Sequence, residues 1–309
     1  MGMRPVLRLG MMAPFADGLI TSGGFLRDFA GTLEECGVES VWTVEHVVIA
    51  EDYEPLYPYS ESGRTPSGGT HVPMPDPLET IAFLAGASRT LRFGTAMVVA
   101  PLHSPVVLAK RAATIDRHSD GRFMLGLGIG WQKEEYAAVG ASYSDRGRRL
   151  EECVGAMRAL WSEAPASYAG RHVAFERLNS LPRPASGAVP VVLGGNSDPA
   201  VRRAGRIGDG WFPYTITPED FATQAALLRT AAAEAGRGED AVEITAWPGS
   251  CDPARENDPA WVRGFVANGA TRLVVAPKLR GDDGVLGPRG LDALKDQVAR
   301  YRDTVLEKL

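Results

Sequence analysis

Residues 122–131 read Arg-Phe-Met-Leu-Gly-Leu-Gly-Ile-Gly-Trp, an apolar segment in which Gly126, Gly128 and Gly130 remove the side chain at alternate positions. The segment predicts a buried strand, 122–129, followed by a polar helical stretch, 132–136. Alternating glycines permit two interpretations: either a ligand approaches the bare backbone, or neighbouring backbones crowd together at a bulge or barrel corner. The dinucleotide-binding pattern G-x-G-x-x-G is not completed, because Trp131 and Gln132 follow Gly130.

The glycine strand is one of eight apolar segments that alternate with helical patterns along the chain. The other predicted strands are 6–14, 40–45, 91–100, 189–193, 210–214, 242–247 and 272–276. The other predicted helices are 25–36, 77–87, 105–117, 145–161, 199–207, 219–235, 260–267 and 291–306, with Asp76 as a cap for the second of these. Residues 168–184 form an excursion that fits neither pattern.

Continuous apolar strands are expected of a parallel sheet that is covered on both faces. Eight such strand and helix units in 309 residues predict an α/β fold, a closed (β/α)8 TIM barrel with loop insertions at its C-terminal face. A doubly wound open sheet is the alternative, but residues 14–24 lack the glycine pattern of its first turn. Since no repeat or low-complexity linker divides the chain, we predict one domain over residues 1–309.

Composition and charge exclude several classes of function. A net charge of -5 and a pI near 5.6 give no general attraction to nucleic acid or to an anionic membrane. The absence of a membrane-length apolar run and of a signal pattern predicts a cytoplasmic protein. The three cysteines and five histidines show no metal-ligand spacing, so we predict no metal site.

A TIM barrel carries its active site at the C-terminal ends of its strands, so the residues after each apolar run are the candidates. Glu45 and His46 follow the second strand, and histidine titrates near neutrality and can transfer protons. Gly194, Gly195 and Asn196 precede a helix after the fifth strand. Their backbone N–H groups and the helix dipole suit a phosphate, although an ordinary tight turn with an N-cap has the same sequence.

The exit of the fourth strand carries Trp131, Glu134 and Glu135. Trp131 is suited to pack on a ligand, and the carboxylates to orient a polar ring edge or to act as a base. The alternative is that two glutamates at a helix start only complement its dipole. Three tyrosines in the long loop 51–75, Tyr53, Tyr57 and Tyr59, either line an apolar pocket or, as the commoner case, are solvated.

Taken in order, the motifs resemble the bacterial luciferase-like superfamily, in particular its oxidoreductases that depend on the deazaflavin coenzyme F420. The matching segments are 44–46, 76–78, 91–95, 109–111 with Asp116, 119–123, 125–131 with Glu135, 193–195 and 208–211. They cover about the first two-thirds of the chain.

The resemblance implies a flavin or deazaflavin across the strand ends of a (β/α)8 barrel, a short insertion near the seventh strand, a small organic substrate and a homodimer. It implies a bulge with a non-prolyl cis peptide at Ala96-Met97, next to Val99, beneath the rings. It also implies that His46 is the proton donor or transition-state stabiliser with Glu45 as the neighbouring acid. Cofactor contacts are implied for Ile129, Gly130, Trp131, Glu134, Gly194, Gly195 and Asn196.

One position departs from the resemblance. The sugar-phosphate dehydrogenases of this superfamily carry a catalytic glutamate where this chain has Trp131, which argues against a glucose-6-phosphate type of reaction. The leading hypothesis is therefore an oxidoreductase that transfers hydride between F420 and another small organic substrate. The alternatives are a monooxygenase that uses reduced FMN and oxygen, and a barrel that binds flavin without catalysis.

Overall fold

The computed structural model describes residues 7–15, 18–65, 70–280 and 290–309. Val6 of the first predicted strand, residues 16 and 17, and residues 66–69 of the long predicted loop lie outside these ranges. The strands in the described part are β1 (Arg8–Met12), β2 (Ser40–Thr43), β3 (Arg92–Thr95), β4 (Val98–Val99), β5 (Phe123–Gly128), β6 (Ala166–Ala169), β7 (Ala174–Leu178), β8 (Val191–Gly194), β9 (Gly210–Phe212), β10 (Glu243–Ala246) and β11 (Arg272–Val275). The α-helices there are α1 (Gly23–Glu35), α2 (Pro77–Ala87), α3 (Pro105–His118), α4 (Lys133–Ala138), α5 (Arg146–Ser162), α6 (Asp198–Ile207), α7 (Pro218–Glu234), α8 (Pro259–Ala267) and α9 (Gly290–Thr304).

Eight parallel strands close into a barrel. Around the barrel the order is β1, β2, β3, β5, β8, β9, β10 and β11, and β11 pairs with β1 at Arg8↔Arg272. Helices separate the successive strands, so the predicted (β/α)8 barrel is confirmed. The continuous apolar strands are buried because the barrel interior lies on one side and the helices on the other.

The third predicted strand, 91–100, is not continuous as the sequence pattern indicated. It is interrupted between β3 and β4, where the Ala96–Met97 peptide bond is cis, as the family resemblance implied. At the interruption the Thr95 hydroxyl, rather than the backbone, forms the hydrogen bonds with β5. Its Oγ1 accepts from the Gly126 N–H at 2.8 Å and donates to the Gly126 carbonyl at 2.7 Å.

Helix starts follow local capping chemistry. The Asp76 carboxylate accepts the N–H groups of Leu78 and Glu79 at 2.8 and 3.2 Å, which confirms the predicted cap of α2. All predicted helices are present with boundaries within two residues. Within the described ranges, no helix combines the length and apolar character that crossing a membrane requires.

β6 and β7 form an antiparallel hairpin outside the barrel, which begins at Ala166 and overlaps the first part of the excursion predicted for residues 168–184. The segment between β10 and α8 contains two single 3-10 turns, at Pro248–Ser250 and Pro253–Arg255. The insertion that the resemblance placed near the seventh strand is therefore short.

The barrel interior has an apolar centre and a charged N-terminal end. Six buried side chains fill the centre: Met12, Trp42, Met124, Val192, Phe212 and Val274. At the strand starts, the fully buried Arg272 donates to both Glu39 carboxylate oxygens at 2.8 and 2.9 Å and also pairs with Glu243. Arg8 pairs with Glu243 at 2.8 Å, and we call Arg8, Glu39, Glu243 and Arg272 the Arg272 cluster.

Candidate active site

The carboxyl ends of the eight strands meet at one end of the barrel, which we call the mouth. Every site residue predicted from the sequence lies there or in the segment that follows a strand end. Half-buried Val44, Ala96, Met97 and Trp247 pack on the apolar interior and form the floor of the mouth. The floor is therefore apolar, while the polar groups lie around it.

Glu45 links three elements at one side of the mouth. Its Oε2 accepts the Val99 N–H at 2.6 Å, and Nε2 of His103 lies 3.0 and 3.1 Å from its two carboxylate oxygens. Its side chain is only 2% exposed. Glu45, the acid that the resemblance places beside His46, thus holds the backbone beyond the cis peptide in place. It also pairs with His103, a histidine that the sequence interpretation did not select.

His46 points to different partners from those of Glu45. Its Nδ1 lies 3.2 Å from Oε2 of Glu135, and its ring meets the Trp131 ring edge-to-face with centroids 5.8 Å apart. The His46 side chain keeps 20% exposure, whereas the Glu135 side chain has 1%. The structure therefore joins His46 to Glu135, 89 residues away in sequence, in a histidine–carboxylate pair.

Gln132, which precedes α4, and two glutamates in the first turn of α4 bind the backbone of the loop after β2. Glu135 Oε1 accepts the N–H groups of Val47 and Val48, at 2.6 and 3.4 Å. Gln132 accepts from Ala50 N–H at 3.2 Å, and Glu134 accepts from the Glu54 N–H at 2.9 Å. Both leave one buried atom without a hydrogen-bond partner in the described structure, Nε2 of Gln132 and Oε2 of Glu134.

The loop tyrosines pack over the mouth and are not solvated. Tyr53 and Tyr57 contact the Trp131 ring edge-to-face, with centroid distances of 5.0 and 5.3 Å. Tyr59 contacts Tyr57 and also Tyr214, which follows β9, at 5.5 and 5.1 Å. Burial, with a smaller contribution from Tyr214, raises the pKa of Tyr57 and Tyr59. These phenols are therefore neutral hydrogen-bonding groups at physiological pH.

The glycines of β5 are explained mainly by crowding. A Cβ on Gly126 would lie 1.7 Å from the Thr95 carbonyl oxygen, and one on Gly128 would lie 3.2 Å from the Met97 Cβ. Gly130 differs because its φ is +61°, a conformation that glycine adopts readily. Gly126 and Gly128 thus make room for the third strand, and a Cβ on Gly130 would likewise lie 2.8 Å from Val99 Cγ1. The ligand interpretation stays a prediction for Gly130 and Ile129, which are half-buried at the strand exit.

The segment after β8 presents backbone donors. Gly195 has φ +107°, and across the described chain the N–H groups of Gly195, Asn196 and Ser197 donate to no other group. The Asn196 side chain is occupied, since it donates to the carbonyls of Tyr214 and Thr215 and accepts the Tyr214 N–H at 3.1 Å. The groups in this turn that are available to bind an anion are therefore its backbone N–H groups, at the start of α6.

Glu256 supports the opposite side of the mouth. Its Oε1 accepts the Trp247 indole N–H at 3.0 Å and the Ala276 N–H at 3.2 Å. Burial raises the pKa of this carboxyl, although both hydrogen bonds act in the opposite direction. Glu256 thereby fixes the orientation of Trp247, which lies 5.6 Å from the Tyr214 ring.

Four residues at the mouth were missed by sequence reasoning: His103, Tyr214, Trp247 and Glu256. Tyr214 and Trp247 close predicted strands, and His103 follows the third, so the rule used for Glu45 would have found all three. Glu256 lies nine residues beyond Trp247 and has no such signal.

Known proteins resemble the chain in both sequence and fold. The model of a family described as luciferase-like monooxygenase matches residues 7–269. An uncharacterized protein of Mycobacterium tuberculosis is 29% identical over 205 residues, which are 66% of this chain and 72% of that protein. The F420-dependent glucose-6-phosphate dehydrogenase of Kineococcus radiotolerans is 28% identical over 229 residues, 72% of this chain and 62% of that enzyme.

The fold is similar to that of the coenzyme F420 dependent tetrahydromethanopterin reductase from Methanopyrus kandleri. The TM-score is 0.71 at 14% sequence identity, with 98% of this chain and 99% of that chain covered. At this identity the likeness concerns the fold alone.

Proposed function

The chain belongs to the luciferase-like monooxygenase family, and from this premise we propose that it is an oxidoreductase that transfers hydride between coenzyme F420 and a small organic substrate. The family has F420-dependent and FMN-dependent members. The observation that carries the proposal is the pairing of His46 with Glu135 beside an apolar floor, because it places a proton-transfer group next to a surface for a flat ring.

The residues at the mouth fit a group made of a flat ring system and a phosphate. Ala96, Met97, Val99, Ile129, Gly130 and Trp131 offer the ring apolar side chains or bare backbone. The N–H groups of Gly195 and Asn196, beside Gly194, suit the phosphate. Three buried polar atoms without partners in the described structure, Oγ1 of Thr43, Nε2 of Gln132 and Oε2 of Glu134, suit the polar edge of the ring.

When bound, the deazaflavin supplies the carbon that accepts or releases a hydride. His46 takes up or returns the proton that accompanies this hydride at the substrate. Trp131, Tyr57 and Tyr59 keep water away from the floor and give a small, uncharged organic substrate an aromatic wall. Trp131 also occupies the position at which the resemblance places the glutamate of sugar-phosphate dehydrogenases, so we propose a substrate of another class.

Titration of the purified protein with oxidised F420 and, separately, with FMN tests the proposal. We expect saturable binding of F420, seen as quenching of its fluorescence, and weak or no binding of FMN. The Gly195→Ala variant changes the proposed phosphate turn and should weaken F420 binding at a temperature at which the variant is still folded.

Tight FMN binding without F420 binding would instead favour the monooxygenase. F420 binding without turnover of any alcohol or carbonyl compound in a broad panel would identify a barrel that binds its cofactor without catalysis. We further propose that the protein is a homodimer, which sedimentation equilibrium would check.

A further inference from the structure

Glu135 has a hydrogen-bonding pattern that goes beyond holding a loop. One of its oxygens, Oε1, is taken by the backbone N–H groups of Val47 and Val48, while the other, Oε2, faces Nδ1 of His46 at 3.2 Å. The carboxylate is buried, with its side chain 1% exposed, so water does not compete for these oxygens. Oε1 therefore holds the loop backbone, while Oε2 faces the imidazole of His46.

An ionised carboxylate accepts hydrogen bonds and donates none. Nδ1 of His46 must then carry the proton that it shares with Glu135. Nε2 has no protein partner in the described part of the chain and is left to exchange protons with a ligand.

We propose that Glu135 is a positioning residue that holds His46 in the Nδ1-protonated tautomer, so that Nε2 is the atom that exchanges protons at the mouth. The catalytic consequence of this tautomer rests on the proposed function. The tautomer itself does not, because it is a property of the ligand-free protein.

The geometry makes the Glu135→Gln variant a specific probe. The short contact from the Val47 N–H, 2.6 Å, requires an acceptor at Oε1, so the glutamine oxygen must occupy that place. Its amide NH₂ group then faces Nδ1 of His46 and can only donate. The variant keeps the loop attached and has nearly the same shape, but it moves the imidazole proton from Nδ1 to Nε2.

The experiment measures long-range ¹H–¹⁵N correlations of the His46 ring in the ligand-free protein, with His46→Gln used for assignment. We expect Nδ1–H in the wild type and in Glu135→Asp, which keeps an acceptor carboxylate, and Nε2–H in Glu135→Gln. Glu54→Gln is the matched control. It removes a carboxylate that contacts Lys133 of α4 at 2.6 Å, across the same loop–helix interface, but does not face His46.

Wild-type protein with the neutral His46 ring protonated at Nε2 would overturn the proposal, even if no variant folds. An unchanged His46 tautomer in Glu135→Gln would overturn it as well. In turnover assays we expect Glu135→Gln to lower kcat by about 10²-fold or more with KM nearly constant, and Glu135→Asp to recover most of the loss. If F420 does not bind, the proposed function fails while the tautomer result still stands.

Discussion

Glu34 and Glu39 at the N-terminal end of the barrel and Glu256 at the mouth differ in how their carboxyl groups respond to burial. At the N-terminal end, the Arg272 cluster pairs its buried guanidinium with carboxylates, and Glu34 accepts from Ser88 and the backbone of residues 89–91. Burial opposes ionisation there, but hydrogen bonds and Arg272 outweigh it and lower the pKa of Glu39. At the mouth, burial prevails for Glu256 and raises its pKa.

The mouth also retains groups without partners. Thr43 Oγ1 and Gln132 Nε2 are buried and unbonded in the described structure, and His46 keeps one nitrogen free. A folded protein bonds the great majority of its buried polar groups, so each unsatisfied one at the mouth is a candidate contact for a ligand. Buried atoms without partners also occur elsewhere in the described structure, for example Nε of Arg302. We therefore expect substitution of the paired charges at the N-terminal end to affect stability alone, whereas substitution of His46 at the mouth should affect chemistry first.

The largest expected effect is at the N-terminal end. Arg272→Met should lower the free energy of unfolding by about 3 kcal/mol or more, because Glu39 and Glu243 lose their buried partner. Arg8→Met is the control: Arg8 contacts the same Glu243 but is 29% exposed, so its loss should cost about 1 kcal/mol or less. Urea unfolding followed by tryptophan fluorescence measures both, and equal losses in the two variants would remove the role assigned to burial.

At the mouth, His46→Gln should reduce turnover by about 10²- to 10³-fold while leaving the unfolding free energy within about 1 kcal/mol of the wild type. The glutamine amide still donates to Glu135, so the loop stays attached, but it cannot accept or release a proton. His118→Gln, at an exposed position at the end of α3, serves as the control. A large loss of stability with normal turnover in His46→Gln would break the contrast between the two ends.

Gly195→Ala tests a mouth position where backbone matters. A Cβ there would lie 2.8 Å from the Ala200 Cβ at φ +107°, so we expect a loss of about 2 kcal/mol. Gly236 has φ +71° with no atom within 4 Å of its added Cβ, and Gly236→Ala should cost about 1 kcal/mol. Thermal unfolding compares the two, and a smaller loss at Gly195 would contradict the close contact with α6.

Glu34 should give the N-terminal end an acid-sensitive contribution. Burial raises its pKa, but hydrogen bonds from Thr90, Arg89 and Ser88 prevail and lower it to about 2 from 4.5. Its stabilisation is present above pH 4.5 and is lost as the pH falls toward 2, by roughly 1 kcal/mol after solvent screening. Glu34→Gln should lack this loss, and a variant that follows the wild-type pH curve would disprove it.

Glu256 should act in the opposite direction and give the smallest effect. Its raised pKa means that the folded state favours the neutral carboxyl, so the stabilisation is complete below pH 4.5 and declines as the pH rises through the folded pKa. Glu256→Gln stays neutral and keeps an acceptor for Trp247. Its stability relative to the wild type should therefore increase between pH 4 and pH 8, and parallel curves would refute the expectation.

The sequence predicted where the site lies better than how it works. Continuous apolar strands reveal a barrel, and the barrel rule places Glu45, His46 and Gly195 at one end. The partner of each side chain depends on loops that fold back over long sequence distances, so the pairings of Glu45 with His103 and of His46 with Glu135 have no local signal. For the same reason the tyrosines of the loop after β2 could not be distinguished from solvated ones.

The alternating glycines show the same limit. Their spacing permitted either open backbone or crowding, and the structure selects crowding for Gly126 and Gly128, because the third strand and Met97 fill the space beside them. A sequence shows where glycines leave space beside a strand, but not which neighbouring residues fill that space.

Met97 is one adjustable position in the apolar floor of the mouth. Its side chain fills the space that a Cβ on Gly194, 2.9 Å from Met97 Cγ, or on Gly128 would need. A smaller residue at 97 would deepen the floor, and an alanine at either glycine could refill it from a neighbouring strand. The depth of the apolar floor is therefore set jointly by positions 97, 128 and 194, which lie in or next to neighbouring strands of the barrel.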